Sequence, residues 1–145
     1  MRAYLSRRYG LSASHRLYSD SYSDEQNQAV YGKCANPHGH GHNYVIEVTV
    51  GGQVDPVTGM VCDLTALDGC VRTKVIDRFD HTNLNFDPLF AAQVPTTENL
   101  CIAIHSLLAA NFVHGDLERV RVEETQNNFF EYSGKGKHGP ASSRS

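Results

Sequence analysis

From residue 40 to residue 50 every second position belongs to one set: His40, His42, Tyr44, Ile46, Val48 and Val50. A strand has a period of two, so all six side chains lie on one face. The apolar members predict a strand over Tyr44 to Val50 whose inward row opens, at its mouth, on two imidazoles. Upstream lies a Gly/Pro-punctuated loop, Lys33-Cys34-Ala35-Asn36-Pro37-His38-Gly39, that carries a thiol and a third imidazole. A soft-donor loop joined to a rigid strand is a suitable mount for a metal ion, and it sets the terms for the rest of the chain.

The remaining segments can be placed around this strand. Arg2 to about Leu17 reads as a strand with Leu11, Ala13 and His15 on one face. Ser23 and Gln26 have capping-box spacing for a short helix through Val30. After the turn Asp55-Pro56-Val57-Thr58-Gly59, a short strand is expected over Met60 to Cys62. Asp63 is a good N-cap, and Leu64, Leu67, Val71 and Val75 follow helical spacing to about Phe79. A polar connection runs from Asp80 to Pro95. A second helix begins near Thr96 or Thr97, with Leu100, Ile104, Leu107 and Leu108 as its buried stripe. Two strands close the chain, Glu118 to Thr125 and Phe129 to Tyr132. The expected fold class is α+β: a four-stranded antiparallel sheet with two helices packed on one face. The bare face and two edges of such a sheet point to oligomerisation.

At 145 residues the chain fits one domain, expected over 1–133, with a Gly/Lys/Ser tail at 134–145 expected to be disordered. A formal net charge of -3 argues against nucleic acid as a partner. No apolar run reaches membrane-spanning length and the first residues lack a signal peptide's apolar block, so a cytoplasmic location is expected. Cys62, Cys70 and Cys101 sit among apolar neighbours as small core residues; Cys34 alone stands in a polar loop.

His40, His42 and His15 form the candidate metal set. If the first two strands pair as a hairpin around the 18–41 excursion, His15 comes opposite the His40/His42 pair. Three neutral imidazoles with an open fourth position suit a catalytic zinc ion. Taken alone, His-Gly-His is an ordinary solvated loop; the parity, the register and the nearby thiol together make it a site. His38 is surplus, either a fourth ligand or, as favoured here, a surface residue. Cys34 has two readings: it closes the metal site as a thiolate, or it stays off the metal as a base or nucleophile, its pKa lowered by Lys33. Asp80-His81 closes the first helix, where the carboxylate can orient the imidazole and raise its basicity. Alternation directs Glu124 inward with Val120 and Val122, and an inward carboxylate needs partners. The amino-pyrimidinone edge of a pterin or guanine offers two N–H donors to such a group. Thr96-Thr97-Glu98-Asn99 holds a helix cap and further groups able to line a pocket.

These motifs, in order, resemble the 6-pyruvoyl-tetrahydropterin synthase family: Ser14-His15-Arg16-Leu17, Gly32-Lys33-Cys34 through His42-Asn43-Tyr44, Asp55-Pro56-x-Thr58-Gly59-Met60-Val61, Asp80-His81-x-Asn83-Leu84, Thr96-Thr97-Glu98-Asn99 and Glu124-Thr125-x-Asn127-Asn128. They span nearly the whole chain outside the tail. The resemblance implies a tunnelling fold in which three subunits form a barrel and two trimers stack as a hexamer. It implies inter-subunit sites that convert 7,8-dihydroneopterin triphosphate to 6-pyruvoyl-tetrahydropterin. It further implies zinc on His15, His40 and His42, proton transfer by Cys34, Asp80 and His81, and pterin anchoring by Glu124 with Thr96, Thr97 and Glu98 nearby. His38 and Asn85 depart from the residues usual in the family, Asn and Asp. The related 6-carboxytetrahydropterin synthases of the queuosine pathway are the alternative within the family. Five residues separate Cys34 from His40, a longer spacing than theirs, and Gln126-Asn127-Asn128 also favours the pyruvoyl reaction. A non-catalytic zinc- or pterin-binding oligomer, with Cys34 on the metal, is the alternative of a different class.

Overall fold

The computed structural model describes residues 1–134, so all but the first residue of the expected tail lies outside the described residues. Its spine is a pair of long antiparallel strands, β1 (Arg2–His15) and β2 (His40–Gln53). They pair along their full lengths, from Arg2 opposite Gln53 to His15 opposite His40. β2 therefore outruns the expected Tyr44–Val50 at both ends, because pairing with β1 holds even its glycines extended.

A short parallel strand, β3 (Thr82–Asn83), flanks β1 at Ala13 and Ser14. On the other side β4 (Asp116–Thr125) pairs antiparallel with β2, and β5 (Asn128–Tyr132) with β4. The order is β3-β1-β2-β4-β5. The sheet is thus five-stranded and mixed, not four-stranded and antiparallel. The added strand is two residues long, too short for any periodicity to announce it. The strand expected at Met60–Cys62 is absent: this stretch forms bends after the Asp55 turn, whose carboxylate accepts from the Val57 and Thr58 amides.

Ser23 and Gln26 form the expected capping box at the start of α1 (Asp24–Tyr31). This helix adds a third helical body to the two counted in the expected fold class. The second body covers the expected span, as α2 (Leu64–Val71), a π-helical turn (Arg72–Ile76) and α3 (Asp77–Phe79). Leu67, Val71, Val75 and Phe79 recur every four residues and are all buried. An uninterrupted α-helix would rotate such a row away from the sheet, and a wider π turn takes up the excess. The third body, α4 (Thr97–Asn111), starts at an N-cap hydroxyl on Thr96.

Both later helices pack on the face formed by Tyr44, Ile46, Val48, Val50, Val120 and Val122, giving one buried cluster with Leu100, Ile104 and Leu108. The fold is α+β as expected. The opposite face is ionic, with Glu47 set between Arg8 and Arg119 and Arg119 reaching on to Glu131. Among the described residues no helix is long and apolar enough to cross a membrane.

Candidate metal centre

The β1–β2 register brings the candidate ligands together. His15 ends β1 directly opposite His40, the first residue of β2, and Ala13 lies opposite His42. All three imidazoles project to the core side at the open end of the buried row. Cys34 comes from a single 3₁₀ turn, Gly32–Ala35. Donor atoms of His15, Cys34, His40 and His42 all lie within 4.8 Å of one another. His38 is exposed and outside this group, in line with the surface reading.

Gly39 makes this closure possible. It adopts φ of +65°, and a Cβ there would stand 2.5 Å from the His15 carbonyl oxygen. Only a glycine allows the loop to cross β1 so closely in this left-handed conformation.

His15 is fully buried. Its Nδ1 lies 2.9 Å from the Pro95 carbonyl oxygen. A carbonyl only accepts, so Nδ1 carries the proton and Nε2 is left as a lone-pair donor. His15 Nε2 is 3.1 Å from His42 Nε2, and Cys34 Sγ is 2.8 Å from His40 Nε2. A tetrahedral cation with nitrogen ligands at roughly 2.0–2.1 Å holds them about 3.3 Å apart, so the donor set fits a small divalent ion.

Burial is the main cause that lowers the pKa of both His15 and His42. They are therefore neutral near pH 7, the form that binds a metal. Cys34 goes the other way from the expectation. Burial first, and then the charge of Glu124, push its thiol up and outweigh the lowering effect of Lys33.

Glu124 occupies an irregularity in the β4–β5 pairing between Glu123 and Thr125. Its carboxylate lies 3.4 Å from His42 Nε2 and accepts from the Asn128 side-chain amide at 3.2 Å. It thus points to the core side beside the imidazoles, as alternation suggested, with a histidine and not a surface Lys or Arg as its neighbour.

Asp80 and His81 follow α3. Asp80 Oδ1 accepts from the Ser12 amide at 2.8 Å, and Oδ2 is 3.4 Å from His81 Nε2. His81 has φ of 59°, the one positive value outside glycine among the described residues. Its amide, bonded to the Ser12 carbonyl at 2.6 Å, holds this unfavourable conformation against β1. The His81 side chain is 81% exposed and lines a groove with Ser12, Asn43 and Asn83. Cys34 does not line that groove, and its own neighbour is His40. Within one chain, the carboxylate–imidazole pair and the thiol are thus separately mounted.

Thr96 caps α4 by accepting from the Asn99 amide at 3.1 Å, as expected of one of the two threonines. Thr97 is buried, its side chain beside the Tyr44 hydroxyl. Glu98 is exposed in the first turn of α4. Two groups at the site had no sequence signal. The Pro95 carbonyl is a backbone atom, invisible to any reading of residue types. The Tyr44 hydroxyl, 3.4 Å from His15 Nδ1, belongs to a side chain that alternation assigns simply to the core.

The model of the family described as 6-pyruvoyl tetrahydropterin synthase matches residues 4–135. A Homo sapiens relative named 6-pyruvoyl tetrahydrobiopterin synthase is 48% identical over 134 residues, covering 92% of this chain and 92% of its own. A Drosophila melanogaster relative of the same name is 43% identical, covering 91% of this chain and 80% of its own. The solved structure of Caenorhabditis elegans 6-pyruvoyl tetrahydropterin synthase superposes with a TM-score of 0.88 at 40% identity, covering 93% of this chain and 97% of the other.

Proposed function

The chain belongs to the 6-pyruvoyl tetrahydropterin synthase family, and we propose that it is a zinc-dependent lyase acting on 7,8-dihydroneopterin triphosphate. The products are 6-pyruvoyl-5,6,7,8-tetrahydropterin and triphosphate, as in tetrahydrobiopterin-type pterin synthesis. The carrying observation is the convergence of three imidazoles and a thiol beside an inward carboxylate, all at one end of the β1–β2 pair.

In this reading His15, His40 and His42 hold Zn²⁺, which when bound supplies Lewis-acid polarisation of substrate oxygens. Glu124 accepts two N–H donors from the amino-pyrimidinone edge and so fixes the pterin ring. Thr96, Thr97 and Glu98 stand near that edge. Cys34 takes a carbon-bound proton as its thiolate; the charge of a zinc ion held by the neutral imidazoles would oppose the upward push of burial on its pKa. His81, oriented by Asp80, moves the remaining protons. Triphosphate leaves with the electron pair of its C–O bond. The later tautomerisations shift protons and double bonds within the substrate, so no redox cofactor is required.

The assembly proposed is a homohexamer, three chains closing a barrel and two trimers stacking, with sites shared between chains. A single domain over 1–133 and a cytoplasmic location complete the reading, with neither nucleic acid nor membrane as partner. The deciding experiment is product identification from 7,8-dihydroneopterin triphosphate. A pyruvoyl product is expected. A carboxy product with acetaldehyde would assign the chain to the 6-carboxytetrahydropterin reaction instead.

One observation favours a second reading. Cys34 Sγ, 2.8 Å from His40 Nε2, is near enough to serve as a fourth metal ligand in a closed, non-catalytic site. Alkylation of the zinc-loaded protein separates the two: a catalytic Cys34 reacts, and a metal-bound one resists.

A further inference from the structure

The turn that bears Cys34 is tied to the two residues just beyond β1. The Leu17 amide donates to the Cys34 carbonyl at 2.6 Å, and Arg16 Nε donates to the Ala35 carbonyl at 3.1 Å. Two consecutive carbonyls of the thiol-bearing turn are thus gripped by two consecutive residues beyond the end of β1. The Arg16 guanidinium also stacks over the Tyr18 ring, 4.2 Å from its centroid, which restricts its swing.

Residue 16 has no backbone strand to pair with. β3 pairs with β1 in parallel, Ala13 with Thr82 and Ser14 with Asn83, and the chain then turns into a 3₁₀ helix, Leu84–Phe86. Continuing that register sets residue 16 beside residue 85. There the Asn85 side chain does what a strand would have done. Its Oδ1 accepts from the Arg16 amide at 2.7 Å, and its Nδ2 donates to the Arg16 carbonyl at 2.9 Å. An N–H only donates and a carbonyl only accepts, so the amide orientation is fixed. Aspartate can accept from Arg16 but has no donor for its carbonyl.

We propose that Asn85 is a positioning residue of the reaction, acting through Arg16 to set where the Cys34 sulfur stands. The inference rests on Cys34 being a reacting group of the proposed synthase. It also joins the two separately mounted halves of the site, since the segment carrying Asp80 and His81 ends in the residue that fixes the Cys34 turn.

The test uses the zinc-loaded full chain with Asn85→Ala, Asn85→Asp, Arg16→Met and the double variant Asn85→Ala/Arg16→Met. Turnover of 7,8-dihydroneopterin triphosphate is read beside the iodoacetamide alkylation rate at Cys34, resolved by peptide mass. Displacing a reacting group slightly is expected to cut kcat about tenfold in Asn85→Ala while KM stays within about twofold. Asn85→Asp, keeping one of two hydrogen bonds, falls between Asn85→Ala and the parent. Alkylation at Cys34 rises in the same order as the turn loosens. The double variant loses less than the product of the two single losses, because both changes act through residue 16. Parent-like kcat and alkylation in Asn85→Ala would overturn the proposal, as would effects of the two single changes that multiply in the double variant. If the parent forms no pyruvoyl product, the functional reading fails, but the alkylation series still decides whether Asn85 and Arg16 set the thiol.

Discussion

At the scale of single residues, four histidines in or near the site must be told apart. His40, His42 and His15 share the donor cluster, while His38 is exposed and outside it. Loss of a hydrogen-bonding neighbour weakens a metal site roughly 10–100-fold, so loss of a ligand should weaken it further. His42→Ala is accordingly expected to purify without zinc and His38→Ala with a full complement, as read by atomic absorption. Stoichiometric zinc in His42→Ala would remove that residue from the ligand set. Glu124 makes a different prediction. Its proposed partners are two N–H groups of the substrate, and a charged acceptor is worth about 1.5–3 kcal/mol per hydrogen bond. Glu124→Gln should therefore raise KM at least about tenfold, with a smaller change in kcat. A fall in kcat alone would instead assign Glu124 to His42, its 3.4 Å neighbour.

Elements show which parts of the molecule can be read from residue types. The β2 row, the Ser23 capping box, the span 64–79 and the α4 stripe were all legible because each repeats a period several times or places a cap at a fixed offset. The clustering of the three imidazoles was legible for the same reason, as parity and register put His15 opposite His40. β3 was not, since two residues have no period. Nor was the Pro95 carbonyl that fixes the His15 tautomer, or the burial that reverses the effect of Lys33 on Cys34. Those depend on tertiary neighbours. The link between α3 and the turns that follow is another tertiary feature, and it makes a pH prediction. Arg78 Nε and Nη2 bond Asp87 Oδ2 and Oδ1 at 3.0 and 2.9 Å. Chiefly by these hydrogen bonds, Arg78 holds the Asp87 carboxyl below its ordinary pKa, against the opposing effect of burial. A depressed carboxyl stabilises the fold above the unfolded-state pKa, about 3.9, and that contribution is lost as pH falls through the lower folded value. Asp87→Asn keeps an acceptor for the Leu89 amide and gives up the charge. It should be about 1 kcal/mol less stable at pH 7, and the gap should close in urea titrations as pH falls below about 3. A gap unchanged down to pH 2 would exclude the ion pair as its source.

For the whole molecule, the layout of the sheet and the division of the site point the same way. β3 covers β1 only at Ala13 and Ser14, so most of β1 forms one open edge, and β5 ends the sheet on the other side. A strand edge left open is a template for another chain, and edges at both ends of one sheet suit head-to-tail closure into a ring. The thiol meets its neighbours at the imidazole cluster, whereas the His81 side chain is 81% exposed in a groove that Cys34 does not line. An imidazole held at positive φ by β1, yet presented to solvent, is well placed to serve a thiol on another chain. Shared sites make a prediction that sites within one chain cannot match. Cys34→Ala and His81→Ala should each be nearly inactive alone. Co-expressed in equal amounts, they should recover activity, because random assembly pairs an intact thiol with an intact imidazole in about a quarter of shared sites. Mass spectrometry of the intact assemblies establishes that mixed oligomers have formed. Mixed oligomers without recovered turnover would place the whole proton-transfer set within a single chain.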